Sequence, residues 1–487
     1  HPVTEKLTHK TPTTTSYADI KFEAKTPNLP AKREVAGRST RAEETFDREL
    51  SYTLNDYFLA RGFGVVYAAG IGTRDSEGFR TCGSQAETSS TTAVIEWLTG
   101  NRRAFTNRSE NIEIKAWWCN KKVAMTGKSY LGTLATAAAT TGIEGLETII
   151  SEAAISSWYD YYRDGGLVVS PDGYVGEDAD VLAQECFSRR KDLAQYQKIA
   201  AKWQTQLDSI TAGQDRQTGN YNRFWDERNY LNNVANIKCD VVLVHGLNDW
   251  NVKPRNVFNL YQALQELPIK TKLILHQGKH IYINNFQSLD FTDMTNLWLS
   301  HKLYGIDNQA TTVLPDVLIQ DNVKPDTWKT YPTWQATTTS KLWLTQAGQL
   351  ADTPDTGSLS FNDQLTPKAF ADYQADLDLW KNDLVSSEAS PLEQARLKFQ
   401  TAPLEQPLLI SGAPKLSVKV ACSADHGLLS FMLVDLGKAK RLNNTPTVLE
   451  PKGILAGYNW RENDLVEFTL GKDTPFKLIS KGHINLQ

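Results

Sequence analysis

Short apolar runs recur at residues 63–67, 123–126, 146–155, 239–244 and 270–275, rich in Val, Ile and Leu and too short for helices. They read as strands buried on both faces. Amphipathic or small-residue stretches at 52–59, at 92–98 and from Tyr130 onward, including the run 134–139, read as helices covering them. Strand, helix and strand in repetition predict a mostly parallel sheet with helices on both sides, an α/β class. Residues 180–236 break this rhythm: they are polar and helix-forming without a strand pattern, which predicts a helical insertion placed where a cap would lie, a plain surface elaboration fitting the composition equally. A helix is expected over 293–304. From 310 to 487 the pattern turns to short alternating runs, at 415–421, 428–434 and 465–470, separated by turn residues as in a β-sandwich. Residues 1–45, rich in Thr, Lys, Pro and Glu, predict an extended arm or partly disordered segment. The expected division is therefore 1–45, 46–309 with the insertion at about 180–236, and 310–487.

The strand at 123–126 runs into Gly127-Lys-Ser-Tyr-Leu-Gly132 and then a helix, which predicts a sharp turn that projects the Ser129 hydroxyl from the sheet edge. In this nucleophile elbow the Tyr130 N–H, at the helix N-terminus, faces the place where an oxyanion would develop. The second glycine comes three residues after the serine, where the usual motif has it two after. The strand at 239–244 runs into His245-Gly-Leu-Asn-Asp249, and the strand at 270–275 into His276-Gln-Gly-Lys-His280. A serine, an aspartate and a histidine thus follow three predicted strands, in the chain order of α/β-hydrolases and at the edge where open α/β sheets bind ligands. Serine acylation needs these types: an imidazole takes the hydroxyl proton, and a carboxylate fixes the imidazole's tautomer and stabilises its cation. His276 and His301 are rivals for the base. His280 is preferred because it lies in a loop past a glycine, whereas His276 is directed by its strand.

Composition narrows the class. A length of 487 residues calls for two or three domains, and a net charge of -4 gives no basic footprint for nucleic acid. No apolar run approaches the roughly 18 residues of a membrane span, and no charged-then-apolar signal segment opens the sequence. Cys82, Cys119, Cys186, Cys239 and Cys422 are odd in number and widely spread, which favours a reducing, cytoplasmic setting over a disulfide framework or a zinc site. No metal or cofactor is implied.

Together Gly127-Lys-Ser-Tyr-Leu-Gly-Thr133, Glu152-Ala-Ala-Ile-Ser-Ser-Trp158-Tyr-Asp-Tyr161-Tyr, His245-Gly-Leu-Asn-Asp-Trp-Asn-Val-Lys-Pro254 and Gly278-Lys-His-Ile-Tyr282 closely resemble X-prolyl dipeptidyl aminopeptidases, from about Thr45 to the last residue. The resemblance implies an α/β-hydrolase domain with a helical cap, a jelly-roll-like accessory β-sandwich, and homodimers. It also implies a serine peptidase that removes X-Pro dipeptides from free peptide N-termini through an acyl-enzyme on Ser129, with Asp249 and His280 completing the triad. An apolar pyrrolidine ring without an N–H needs a shaped aromatic slot. Trp158 and Tyr161, with Trp250, Asn251 and Val252 beside Asp249, meet that need. The substrate ammonium calls for a carboxylate. In Gly176-Glu177-Asp178-Ala-Asp180 the resemblance favours Glu177, while charge alone leaves Asp178 and Asp180 equal to it. The family takes a second oxyanion donor from a tyrosine in an early Ser-Pro-Tyr stretch, and this sequence holds none. The chain, which begins His-Pro and ends in what reads as mid-strand, is expected to be a piece of a longer member. The alternatives are a related acylase or esterase that needs no free amine, or an inactive binding fragment.

Overall fold

Six strands form the main sheet: β1 (Val123–Lys128), β2 (Leu146–Glu152), β3 (Asp240–Gly246), β4 (Thr271–His276), β5 (Val317–Gln320) and β6 (Trp328–Tyr331). The computed structural model describes residues 20–25, 33–39, 54–172, 174–334, 338–424, 427–449 and 465–486. Neighbours in the sheet are neighbours in sequence, parallel from β1 to β5 and antiparallel only between β5 and β6. Every parallel strand therefore ends at one edge, and the connections leaving that edge collect there.

Alternation along each strand builds two cores. Val241, Leu243, Leu273 and Leu275 face one side, where helices α1 (Gln85–Thr99), α2 (Tyr130–Ala139) and α6 (Arg255–Leu264) contribute Ile95, Leu98, Ala135, Ala138, Leu260 and Leu264. Val242, Val244 and Ile274 face the other, against Phe291, Trp298 and Leu299 of α7 (Phe291–Leu299). Each such aliphatic side chain, fully buried, contributes about 1.5–3 kcal/mol. The alanines of α2 let its backbone approach the sheet closely. This architecture is an α/β-hydrolase fold.

The connection between β2 and β3 holds a third cluster. Helices α3 (Trp158–Tyr162), α4 (Ala179–Cys186) and α5 (Leu193–Gly213) bury Trp158, Tyr162, Phe187 and Trp203 together with Trp225 and Tyr230.

Three expectations change. Residues 63–67 are irregular, with Val66 and Tyr67 exposed. Among the described residues no strand receives their ladder bonds, and Phe63 is fixed instead by its ring against Phe58 and Tyr304. The sheet does not stop at 309, because β5 pairs with β4 and β6 with β5, carrying it to Tyr331. Residues 415–421 form no strand, and Leu416, Val418 and Val420 are exposed. The described C-terminal strands are paired two by two, chiefly β7 (Gly427–Leu442) with β8 (Leu470–Leu486), and among the described residues no sheet of more than two strands forms beyond Tyr331. The arm expected at 1–45 lies mostly outside the described residues. Among the described residues no helix is long and apolar enough to cross a membrane.

Candidate active site

Ser129 follows β1 directly and caps α2 with φ 61° and ψ -127°, a left-handed backbone that costs a non-glycine residue strain. The turn is closed by backbone bonds: the Ser129 N–H donates to the Glu152 carbonyl at 2.9 Å, and the Thr133 N–H to the Ser129 carbonyl at 2.8 Å. The Thr133 hydroxyl donates to the same Ser129 carbonyl and accepts the Ile155 N–H, tying the elbow to the end of β2.

The late glycine has a steric cause. A Cβ on Gly132 would lie 2.5 Å from the Gly127 carbonyl oxygen and 2.9 Å from that of Glu152. A Cβ on Gly127 would lie 2.5 Å from the Leu131 Cβ. The two glycines clear the crossing of α2 over β1 and β2, and the first turn of α2 makes that crossing three residues after Ser129.

Beyond β3 and β4, Asp249 and His280 are brought together. His280 Nδ1 lies 2.7 Å from Asp249 Oδ2, while Asp249 Oδ1 accepts the N–H groups of Asn251 at 3.0 Å and Val252 at 2.9 Å. The carboxylate is completely buried, and the His280 ring is partly open to solvent. Asp249 does not cap α6, whose N-cap is Pro254 and which has no side-chain cap bond. His276 is the wrong shape for a base: its ring is wholly buried edge-on to Phe286, and its Nδ1 accepts the Gly278 N–H. Burial and the neighbouring His245 hold it down to about 3. His301 points its Nδ1 at the Ile306 carbonyl, on the π-helical turn Ser300–Tyr304.

Tyr130 is anchored by a buried acid. Its hydroxyl donates to Glu87 Oε2 at 2.6 Å, and Glu87 also accepts the N–H groups of Thr81, Cys82 and Gly83. Arg80 lies over the Tyr130 ring, whose edge meets Trp158.

The aromatic residues adjoin this centre unequally. Trp158 is fully buried, donating to the Tyr230 hydroxyl and stacked on Tyr162, and Val252 is fully buried as well, so both stand behind the surface residues. Tyr161 packs edge-on to Trp158 and donates to Asn251 Oδ1 at 3.1 Å, which joins the two sequence clusters. Trp250 carries the Lys481 ammonium over its ring.

The three acids of 177–180 part company. Asp178 pairs with Arg163 and Arg216, and Asp180 with Arg216, so both are neutralised. Glu177 accepts the Tyr162 hydroxyl at 2.8 Å and, among the described residues, has no cation within ion-pair distance. Burial raises its carboxyl above the usual range. Tyr162, Arg163 and Glu87 were not singled out in the sequence. The unbroken aromatic run 158–162 ending in an arginine was the available signal for the first two.

A family described as X-Pro dipeptidyl-peptidase (S15 family) matches residues 9–282, and one described as X-Pro dipeptidyl-peptidase C-terminal non-catalytic domain matches residues 308–487. A Xaa-Pro dipeptidyl-peptidase of Ligilactobacillus salivarius is 55% identical over 100% of this chain and 61% of its own length. That of Pediococcus pentosaceus is 57% identical over 100% and 61%, and that of Lactiplantibacillus plantarum 57% identical over 100% and 60%. The chain therefore spans less than two thirds of the length of these curated relatives.

Proposed function

The chain belongs to the S15 family of X-Pro dipeptidyl-peptidases, and from that premise we propose that it carries the active centre of a serine peptidase releasing X-Pro dipeptides from the free amino end of peptides. The observation that carries the reading is the 2.7 Å bond between His280 Nδ1 and Asp249 Oδ2, at the sheet edge where the Ser129 elbow also ends. With Nδ1–H given to Asp249, the Nε2 lone pair of His280 is the acceptor for the Ser129 proton. Ser129 Oγ attacks the carbonyl carbon of the proline. The Tyr130 N–H receives the developing oxyanion, and His280 returns the proton to the leaving amine. Water then repeats the sequence on the acyl-enzyme and frees the dipeptide and Ser129.

Glu177 is the proposed receptor of the substrate ammonium. An acid already paired with arginine has little left for a ligand, which favours Glu177 over Asp178 and Asp180. Tyr161, Trp250 and Asn251, backed by Trp158 and Val252, frame the proposed proline slot. The proposed domain plan keeps the α/β-hydrolase unit with its helical cap ahead of the C-terminal strand region. Cytoplasmic residence and homodimerisation complete the reading: the free thiols of Cys82, Cys119, Cys186, Cys239 and Cys422 support the first, the family resemblance the second.

The test compares an Ala-Pro chromogenic amide with its N-acetylated twin, using this chain, a version extended to the length of the relatives, and Ser129→Ala in each. Cleavage of the free-amine substrate alone, abolished by Ser129→Ala, is expected. Equal cleavage of both substrates overturns the role of Glu177 and favours an acylase. No cleavage by either folded length overturns the peptidase reading.

A further inference from the structure

Two charged side chains outside the triad converge on the segment bearing His280. Lys128, the last residue of β1, donates through Nζ to the His280 carbonyl at 3.3 Å and lies 4.5 Å from the centre of the Tyr282 ring. Glu152, the last residue of β2, is its register partner across the two strands. Glu152 is buried, 4% exposed, and its Oε1 accepts the Ile283 N–H at 2.8 Å. Its main chain accepts the Ser129 N–H, as described above. The ends of two adjacent strands thus grip positions 280, 282 and 283.

The gripped segment has no regular structure of its own from 277 to 285. A loop without a ladder takes its orientation from the contacts it makes. Asp249 fixes the tautomer and one edge of the imidazole. It does not fix the height of the His280 backbone above β1.

We propose, resting on the reading of the site given above, that Lys128 and Glu152 are positioning residues: a clamp that ties the nucleophile strand to the general-base loop and sets the His280 imidazole against Ser129. Burial raises the Glu152 carboxyl to about 7, with the Ile283 N–H and the Lys128 charge favouring its ionised form. Lys128 on β1 is the charged side chain that acts on it. The neutral acid keeps an oxygen that accepts the Ile283 N–H, so the clamp holds on both sides of neutrality.

The experiment makes Lys128→Met, Lys128→Arg, Glu152→Leu and Glu152→Gln in the whole chain. Three readouts are taken: the kcat and KM split on the Ala-Pro amide, the pH profile of kcat, and the far-downfield proton resonance of the His280–Asp249 bond. A displacement of about 1 Å at a reacting group costs on the order of 100-fold, so Lys128→Met and Glu152→Leu should lower kcat by about 10- to 100-fold with KM within about twofold. Lys128→Arg restores a donor and Glu152→Gln an acceptor for Ile283, and each should recover kcat to within about threefold of the parent. Glu152→Gln, which fixes the neutral form, should leave the pH profile of kcat as in the parent. The resonance should be sharp in the parent and the conservative pair, and broadened in the other two. Unchanged kcat in Lys128→Met and Glu152→Leu, or equal loss in Glu152→Gln and Glu152→Leu, overturns the clamp. If the parent chain cleaves nothing, that failure counts against the peptidase reading, and the resonance alone decides the clamp: its persistence in Lys128→Met and Glu152→Leu overturns it, its loss supports it.

Discussion

Gly132→Ala puts the construction of the elbow to the test. The added methyl lies 2.5 Å from one carbonyl oxygen and 2.9 Å from another, and 3.1 Å from the Ala154 Cβ. Carbon and oxygen approach comfortably only to about 3.3 Å, so α2 must retreat by the better part of an ångström. Neither carbonyl can yield cheaply, since Gly127 lies in β1 and the Glu152 carbonyl already holds the Ser129 N–H. Overpacking of this kind costs about 1–3 kcal/mol. Because Ser129 caps the displaced helix, its reactivity should suffer too, by about tenfold or more for a shift approaching 1 Å. Urea unfolding followed by tryptophan fluorescence should show a lower midpoint with an unchanged slope. A fluorophosphonate should label Ser129 at the same site but more slowly. Stability within about 0.5 kcal/mol of the parent, together with an unchanged labelling rate, would refute the steric account of the late glycine.

Three further outcomes follow from the same geometry. Glu177→Gln should lower kcat/KM for a free-amine X-Pro substrate by about 10- to 100-fold, the worth of a hydrogen bond to a charged group, while leaving the rate of fluorophosphonate labelling of Ser129 unaffected; an equal slowing of both would remove Glu177 from ammonium recognition. Asp178→Ala strands the completely buried Arg163 guanidinium, and should cost about 3–5 kcal/mol in urea unfolding; a loss below about 1 kcal/mol contradicts the pairing seen here. The Glu152 carboxyl is raised from 4.5 to about 7 in the folded chain, so between those values the folded state holds a proton that the unfolded state has released. Stability attributable to Glu152 is full below the lower value and falls as pH rises through the upper one. Glu152→Gln should therefore gain on the parent by about 3 kcal/mol across that window, and a gap independent of pH would show that the carboxyl is not raised.

The strands at 239–244 and 270–275 were legible because burial on both faces forces an unbroken apolar run, and the Ser129 turn because its glycines announce a crossing. His280 was separable from His276 on the same logic: one is carried by a strand, the other lies beyond a glycine. Residues 63–67 show the limit, since an apolar run packs equally well as irregular chain when no neighbouring strand takes its hydrogen bonds. The β5 and β6 strands are not legible because two short runs with a turn between them resemble the alternating region that follows. The acids at 177–180 looked equivalent for another reason. The arginines that neutralise two of them stand at 163 and 216, and only folding brings them near. Lys128 and Glu152 gave no pattern at all, being single charges at strand ends whose partners are backbone groups.

The long connection from β2 to β3 carries a consequence for how such a protein changes over generations. Trp158, Tyr161 and Glu177 all arise within this one excursion, whereas Ser129, Asp249 and His280 arise from the ends of β1, β3 and β4. The excursion leaves and rejoins the sheet at neighbouring strands, so its length and content can vary while the sheet's register is kept. On the proposed reading most of what recognises the substrate is thus written in one stretch of sequence, with Trp250 and Asn251 beside Asp249 as the exception, and selection can rewrite that stretch as one exchangeable block.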